Sequence, residues 1–246
     1  MNCTKQTTQK TEHGKKENKS MFKIEMPEEQ VTPEQTIICI YGQPGTGKTT
    51  MAVSGTRPLL IDTDNGSHRI DSRYRVPTIH PKSYAEVIEV LSSEEVKRFK
   101  TIVFDTFGNL LTLMDEYVST LAPANVKTNG ELSLAGFGVR KKLFIKLMNS
   151  LKKSGLSVVF VAHDKEESGD DDKKVCRISA SGSSVQDLVR EMDAIGYVEM
   201  IGKNRTISFN PTQKFYAKNS LGLPSPINIP DIAEKNTFLQ DTVEKN

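Results

Sequence analysis

Eight residues, Gly42-Gln43-Pro44-Gly45-Thr46-Gly47-Lys48-Thr49, fit the pattern G-x-x-x-x-G-K-[ST] in full. The chemistry of that pattern is phosphate binding. Closely spaced glycines let several backbone N–H groups converge on phosphate oxygens, and the start of the helix that follows adds partial positive charge. Lys48 is expected to reach the β- and γ-phosphates, and the Thr49 hydroxyl to coordinate a magnesium ion. With Thr50 as the next residue of the turn, Gly42 through Thr50 form the expected binding set for ATP.

Magnesium in such a site also needs an acid at the end of a neighbouring apolar strand. Asp105, closing TIVFDT, fits that requirement, and an aspartate there also suits a helix N-cap. The segment LLIDTDNG carries Asp62 and Asp64 where a second strand ends. Hydrolysis needs a group that orients or deprotonates the attacking water, and a carboxylate near the γ-phosphate suits it. Asp64 is the favoured candidate, although D-N-G is also strong turn chemistry. His163 closes VVFVAH and would stand near the γ-phosphate if its strand lies beside that of Asp105. The expected catalytic set is thus Lys48, Asp64 and His163, with Thr49 and Asp105 for the metal.

These side chains need rigid elements behind them. TIICIY (36–41) is a β-branched apolar run ending at the glycine-rich turn, as a strand buried on both faces should look. A short helix over Lys48 to Ser54 should follow, stopped by Gly55 and the Arg57-Pro58 step. PLLIDTD (58–64), VPTIH (76–80), TIVFDT (101–106) and LSVVFVAHD (156–164) read as further strands. Ser83 with Glu86 three residues later predicts a capped helix reaching about Phe99. Leu110, Leu111, Met114 and Val118 mark a helix over 107–121, and Val139, Leu143, Leu147 and Leu151 one over 139–153. After Asp164 the sequence turns polar as KEESGDDDKKVCRISASGSS, the composition of an exposed hairpin or loop. A short helix near Val185 to Met192 precedes AIGYVEM and RTISF, a hairpin around Gly202, Lys203 and Asn204, and FYAK (215–218) suits one more strand.

This order implies an α/β domain: a mostly parallel sheet with helices on both faces and a C-terminal antiparallel hairpin, its ligand at the carboxyl ends of the strands. The expected organisation is a basic tail over 1–30, the ATPase domain over 31–232 and a flexible tail over 233–246. Residues 1–23 hold six lysines against two glutamates. Hydrophobic residues at 36%, charged residues at 26% and a net charge of +2 describe a soluble globular protein with no general demand for a nucleic-acid partner. No run approaches the roughly 18 apolar residues of a membrane span, nor is there an apolar signal core, so a cytoplasmic protein without a membrane partner is expected. Cys3, Cys39 and Cys176 stand at unrelated spacings and indicate neither a disulfide framework nor a zinc site.

The motifs IYGQPGTGKTT, PLLIDTDNG, SYAEVIEVL, TIVFDT, VVFVAHDKEE, SSVQDLVREMD and FYAKNSLGLPSPINIP, in this order from about Thr36 to Pro230, resemble the phage nucleotide-binding ATPases of RecA-like fold. Sak-type single-strand annealing and recombination proteins are among them. Only the first motif is specific alone. The resemblance implies a RecA-like P-loop ATPase, single-stranded DNA as partner, and a homo-oligomer with the nucleotide near a subunit interface. In phage-encoded members the compartment is the host cytoplasm. It also implies that the usual catalytic glutamate is here Asp64, and that His163 replaces a glutamine coupling nucleotide state to a DNA-binding loop, here Lys165 to Ser184. Lys218 resembles a finger lysine, whereas Ser220 stands where a K-x-R pair would carry arginine.

A nucleotide-switched binding module and a P-loop small-molecule kinase are the alternatives. The kinase should show an arginine-rich lid, and residues 122–137 contain no arginine. A motor with a helical lid domain is disfavoured by the hairpins after His163. His68, Arg69, Arg73 and Arg75 form the dense basic cluster of the core, suited to DNA, to substrate phosphates or to a solvated loop.

Overall fold

A computed structural model describes residues 26–27, 35–168, 174–181, 184–229 and 237–244. The chain divides into two compact units, 1–33 and 34–246. Of the first, Met26 and Pro27 are described, both exposed; the rest of the basic segment and Cys3 lie outside the described residues. The following concerns the second unit.

The first strand, β1 (Ile37–Gly42), is buried at all six positions, as its unbroken apolar run requires. It leads through the glycine-rich turn into α1 (Lys48–Ala52). Then come β2 (Pro58–Asp62), β3 (Thr78–Ile79), α2 (Tyr84–Ser92), β4 (Thr101–Asp105), α3 (Phe107–Leu121), α4 (Leu134–Ser154) and β5 (Ser157–Ser168). The chain continues through β6 (Lys174–Ile178), α5 (Ser184–Glu191), β7 (Ala194–Ile201), β8 (Asn204–Ser208), β9 (Lys218–Asn219), β10 (Ile227–Ile229) and α6 (Phe238–Thr242). The sheet order is β10-β8-β7-β1-β5-β4-β2-β3, parallel from β7 through β3. β8 and β10 add to it antiparallel, β6 pairs antiparallel with the outer half of β5, and β9 with β7. The expected α/β fold, mostly parallel with antiparallel strands toward the C-terminus, is therefore present.

Alternation along the strands divides the core between the two faces. Cys39, Tyr41, Phe104 and Phe160 pack with Val87, Phe107, Leu110, Phe144, Leu147 and Leu188 of α2 to α5. Ile38, Ile40, Val103 and Val161 pack with Met51 and Ala52 of α1 and with Phe238 and Leu239 of α6. Phe104 and Phe160 stack at 5.1 Å between ring centroids, binding β4 to β5 where their ends carry candidate site residues.

Four expectations change in the structure. The helix expected to reach Phe99 stops at Ser92: Ser93 is extended, and its N–H and hydroxyl both bond Val90 O, leaving only a 3₁₀ turn over Glu94–Arg98. The next long helix starts at Leu134 rather than 139, capped by Ser133, whose hydroxyl accepts from Gly136 N–H at 3.2 Å. Gly136 hides that start from a propensity reading, yet a Cβ there would lie 2.3 Å from Asn125 O, so close packing of the helix start requires it. Of FYAK only Lys218 belongs to a strand, while Phe215 makes a single bridge to Cys176. Finally, residues 237–244 of the expected flexible tail carry α6. Phe238, Leu239 and Val243 are buried and Leu239 N–H donates to Ser54 Oγ at 2.8 Å, so apolar burial holds this segment on α1.

No helix among the described residues is long and apolar enough to cross a membrane. Cys39 and Cys176 are buried free thiols.

Candidate functional site

The turn after β1 is shaped by close backbone approach. A Cβ on Gly42 would lie 2.3 Å from Val198 O of the paired strand β7. Gly45 and Gly47 have φ of 79° and 77°, the left-handed region where glycine carries no Cβ penalty. Thr46 Oγ1 donates to Gln43 O at 2.8 Å and closes the loop. Lys48 Nζ also donates to Gln43 O, at 2.7 Å, so the lysine lies folded along the loop. Burial lowers the Lys48 pKa, against the pull of Asp105 and Asp164.

Asp105, at the end of β4, accepts a hydrogen bond from Thr49 Oγ1 at 2.5 Å. The two residues meet because β5 alone separates β1 from β4. Burial pushes the Asp105 carboxyl up to about 6, the Thr49 bond opposes the shift, and Asp64 and Asp62 add to it. A hydroxyl and a buried carboxylate side by side form an oxygen donor pair suited to a hard divalent ion.

Asp62 and Asp64 end the adjacent β2 and are put to different uses. Asp62 is buried and accepts the N–H groups of Ser67 at 2.9 Å, Gly66 at 3.1 Å and Asp64 at 3.3 Å, so it builds the turn. Burial opposes its ionisation, but the donors of Ser67 and Gly66 prevail and hold its pKa below the ordinary value. Asp64 lines a cavity of about 250 Å³ together with Gly45, Lys48, Thr49, Asp105 and His163. Burial and the neighbouring Asp62 raise its pKa. Its Oδ1 also accepts Gly66 N–H at 2.8 Å, and Asn65 takes φ 57°, so the D-N-G turn coexists with exposure to the cavity.

His163 is registered opposite Gly42 on β5, between the glycine-rich turn and Asp105. Burial and the nearby Lys48 lower its pKa, favouring neutral imidazole at pH 7. Its carbonyl accepts Ser179 N–H at 2.8 Å, which ties the cavity edge to the chain beyond the β5–β6 hairpin.

The basic cluster divides. Arg69 lines the cavity, Arg73 pairs with Asp71, and Arg75 donates to Ile70 O and His68 O. Lys218 Nζ donates to Val189 O at 3.2 Å and is not among the cavity's residues. Arg205, which no motif singles out, lies on β8 with its guanidinium beside Gly47.

With this geometry in hand, comparison with known families adds one finding: residues 34–221 match the model of a family described as AAA domain, and the chain belongs to that family of AAA-type P-loop ATPases. Among curated proteins none matches the chain. The helical lid of a motor is not seen among the described residues after His163, where strands predominate and α5 and α6 are the helices.

Proposed function

Taking membership of the AAA-domain ATPases as premise, we propose that this chain binds ATP with magnesium in the cavity between Gly45 and Asp105 and hydrolyses it. The observation that carries the reading is the Thr49–Asp105 pair at 2.5 Å, set at the N-terminus of α1 beside Lys48. The backbone N–H groups of Gly45 to Thr50 receive the phosphates, and Lys48 exchanges Gln43 O for the β- and γ-phosphate oxygens. Thr49 and Asp105 would hold a magnesium ion, which would supply charge neutralisation on those oxygens. Asp64 orients the attacking water and takes its proton as the water oxygen bonds to the γ-phosphorus and the bond to the β-phosphate oxygen breaks. His163, as neutral imidazole, donates to the terminal phosphate, and the bond its carbonyl accepts from Ser179 passes the nucleotide state to the chain beyond the β5–β6 hairpin.

The resemblance to phage recombination and annealing ATPases extends the proposal to single-stranded DNA and to homo-oligomers with the nucleotide near a subunit interface. α4 supports the DNA reading. It carries Arg140, Lys141, Lys142, Lys146, Lys152 and Lys153 and no acid. Lys141 and Lys152 pair with Asp187 and Glu191, while Lys142, Lys146 and Lys153 share one exposed groove with Asn149. Replacing those three with alanine should flatten the dependence of log affinity on log salt by about 2, at roughly 0.7 per phosphate contact on single strands. An unchanged slope would remove α4 from the account. Magnesium-dependent ATP turnover, measured with and without single-stranded DNA, tests the whole reading. Tight ATP binding without turnover would favour the nucleotide-switched module instead.

A further inference from the structure

Arg205 follows the β7–β8 turn, its backbone paired with Met200 and Ile229. Alternation puts its side chain on the face of Ile207, the face covered by α1. The guanidinium reaches the glycine-rich turn itself: a Cβ on Gly47 would lie 2.9 Å from both Cζ and Nη1, and 3.3 Å from Nη2. Arg205 Nε is buried without a hydrogen-bond partner, and no hydrogen bond or ion pair joins this side chain to the described residues. Arg205 as a whole is half-buried, whereas the buried Arg140 donates to Asp115, Ser181 and Ser184. A permanently charged fork with five donors, its Nε buried and unpartnered among the described residues, stands beside a loop of converging N–H groups, an arrangement suited to an anion.

Its place on the sheet says which part of an anion. Asp105, Asp64 and His163 stand on the β5-β4-β2 side of β1 and define the terminal-phosphate end. Arg205 stands across β1, on the β7-β8 side. A triphosphate running from the first group over the loop has its α-phosphate at the second. We infer that Arg205 binds the α-phosphate of the nucleotide held by its own chain, and that Gly47 is small so that the guanidinium can lie against the loop. The inference rests on the ATP-binding reading above and concerns a contact made equally by ATP and ADP.

Titration of native chain, Arg205→Ala, Arg205→Gln and Lys48→Ala with ATP and with ADP tests it, with far-UV circular dichroism confirming that each variant is folded. Loss of a charge-assisted bond should weaken both nucleotides alike, by roughly ten- to a hundredfold. Arg205→Gln keeps most of the side chain's bulk and should lose affinity as Arg205→Ala does. Unchanged affinity in both variants, or a loss confined to ATP, would overturn the inference and leave the ATP site standing. Failure of the native chain to bind either nucleotide would overturn both.

Discussion

Replacing Asp105 with asparagine should strengthen the fold while it removes the function. Burial pushes the Asp105 carboxyl from an ordinary 3.8 up to about 6, with Asp64 and Asp62 adding to the shift and Thr49 and Lys48 opposing it. An acid whose folded pKa is raised keeps its proton in the folded chain over a range where the unfolded chain has lost it. Stability therefore falls as pH rises from about 4 to about 6, and stays reduced above that. The shift is equivalent to about 3 kcal/mol at 1.36 kcal/mol per pKa unit. Asparagine keeps an oxygen that can accept from Thr49 and carries no charge. In a chelator without nucleotide, Asp105→Asn should exceed the native chain in stability by up to about 3 kcal/mol at pH 7.5, or roughly 6–12 °C in melting temperature. At pH 4 the two should coincide. Adding ATP and magnesium should reverse the ranking at pH 7.5, because ligand binding stabilises only the chain that can hold the metal. Paired urea titrations at the two pH values make the measurement. A variant less stable than native without metal at pH 7.5, or a difference that ignores pH, would refute the reasoning.

Four other substitutions, taken in two pairs, separate roles that the sequence alone cannot. Gly42→Ala would set a methyl 2.3 Å from Val198 O on a paired strand, whereas Gly45→Ala meets nothing within 4 Å and carries only its φ of 79°. The first should cost several kcal/mol and the second about 1–2 kcal/mol, and equal urea midpoints would contradict the close approach at Gly42. Asp64→Asn should lower single-turnover hydrolysis by roughly 10²–10⁴-fold with ATP affinity kept. Asp62→Asn should instead destabilise the β2 turn, so a variant of Asp64 that turns over normally would strike it from the mechanism.

The parallel core was legible because its strands are unbroken β-branched runs and its helices carry period-3.6 stripes, so Ile37–Gly42 and Phe107–Leu121 emerge close to their expected bounds. The glycine-rich turn was legible because few other chemistries need that spacing. Register was not: that Asp64 rather than Asp62 faces the cavity depends on which carboxylate the Ser67 and Gly66 N–H groups capture. Arg205 was invisible for a related reason. Its sequence neighbours are an ordinary hairpin, and only the addition of β8 beyond β7 carries it to Gly47. α6 escaped notice because Phe238 and Leu239, with Val243 just past its end, form too short a stripe to read without the α1 surface they cover.

The central claim is that the glycine-rich turn and the Thr49–Asp105 pair hold ATP with magnesium for hydrolysis. Phosphate release from ATP, followed for the native chain and for Lys48→Ala with magnesium and again with excess chelator, tests it most directly. The account predicts turnover in the native chain that disappears both on chelation and in Lys48→Ala. No turnover by the native chain, or turnover that survives in Lys48→Ala, would contradict it.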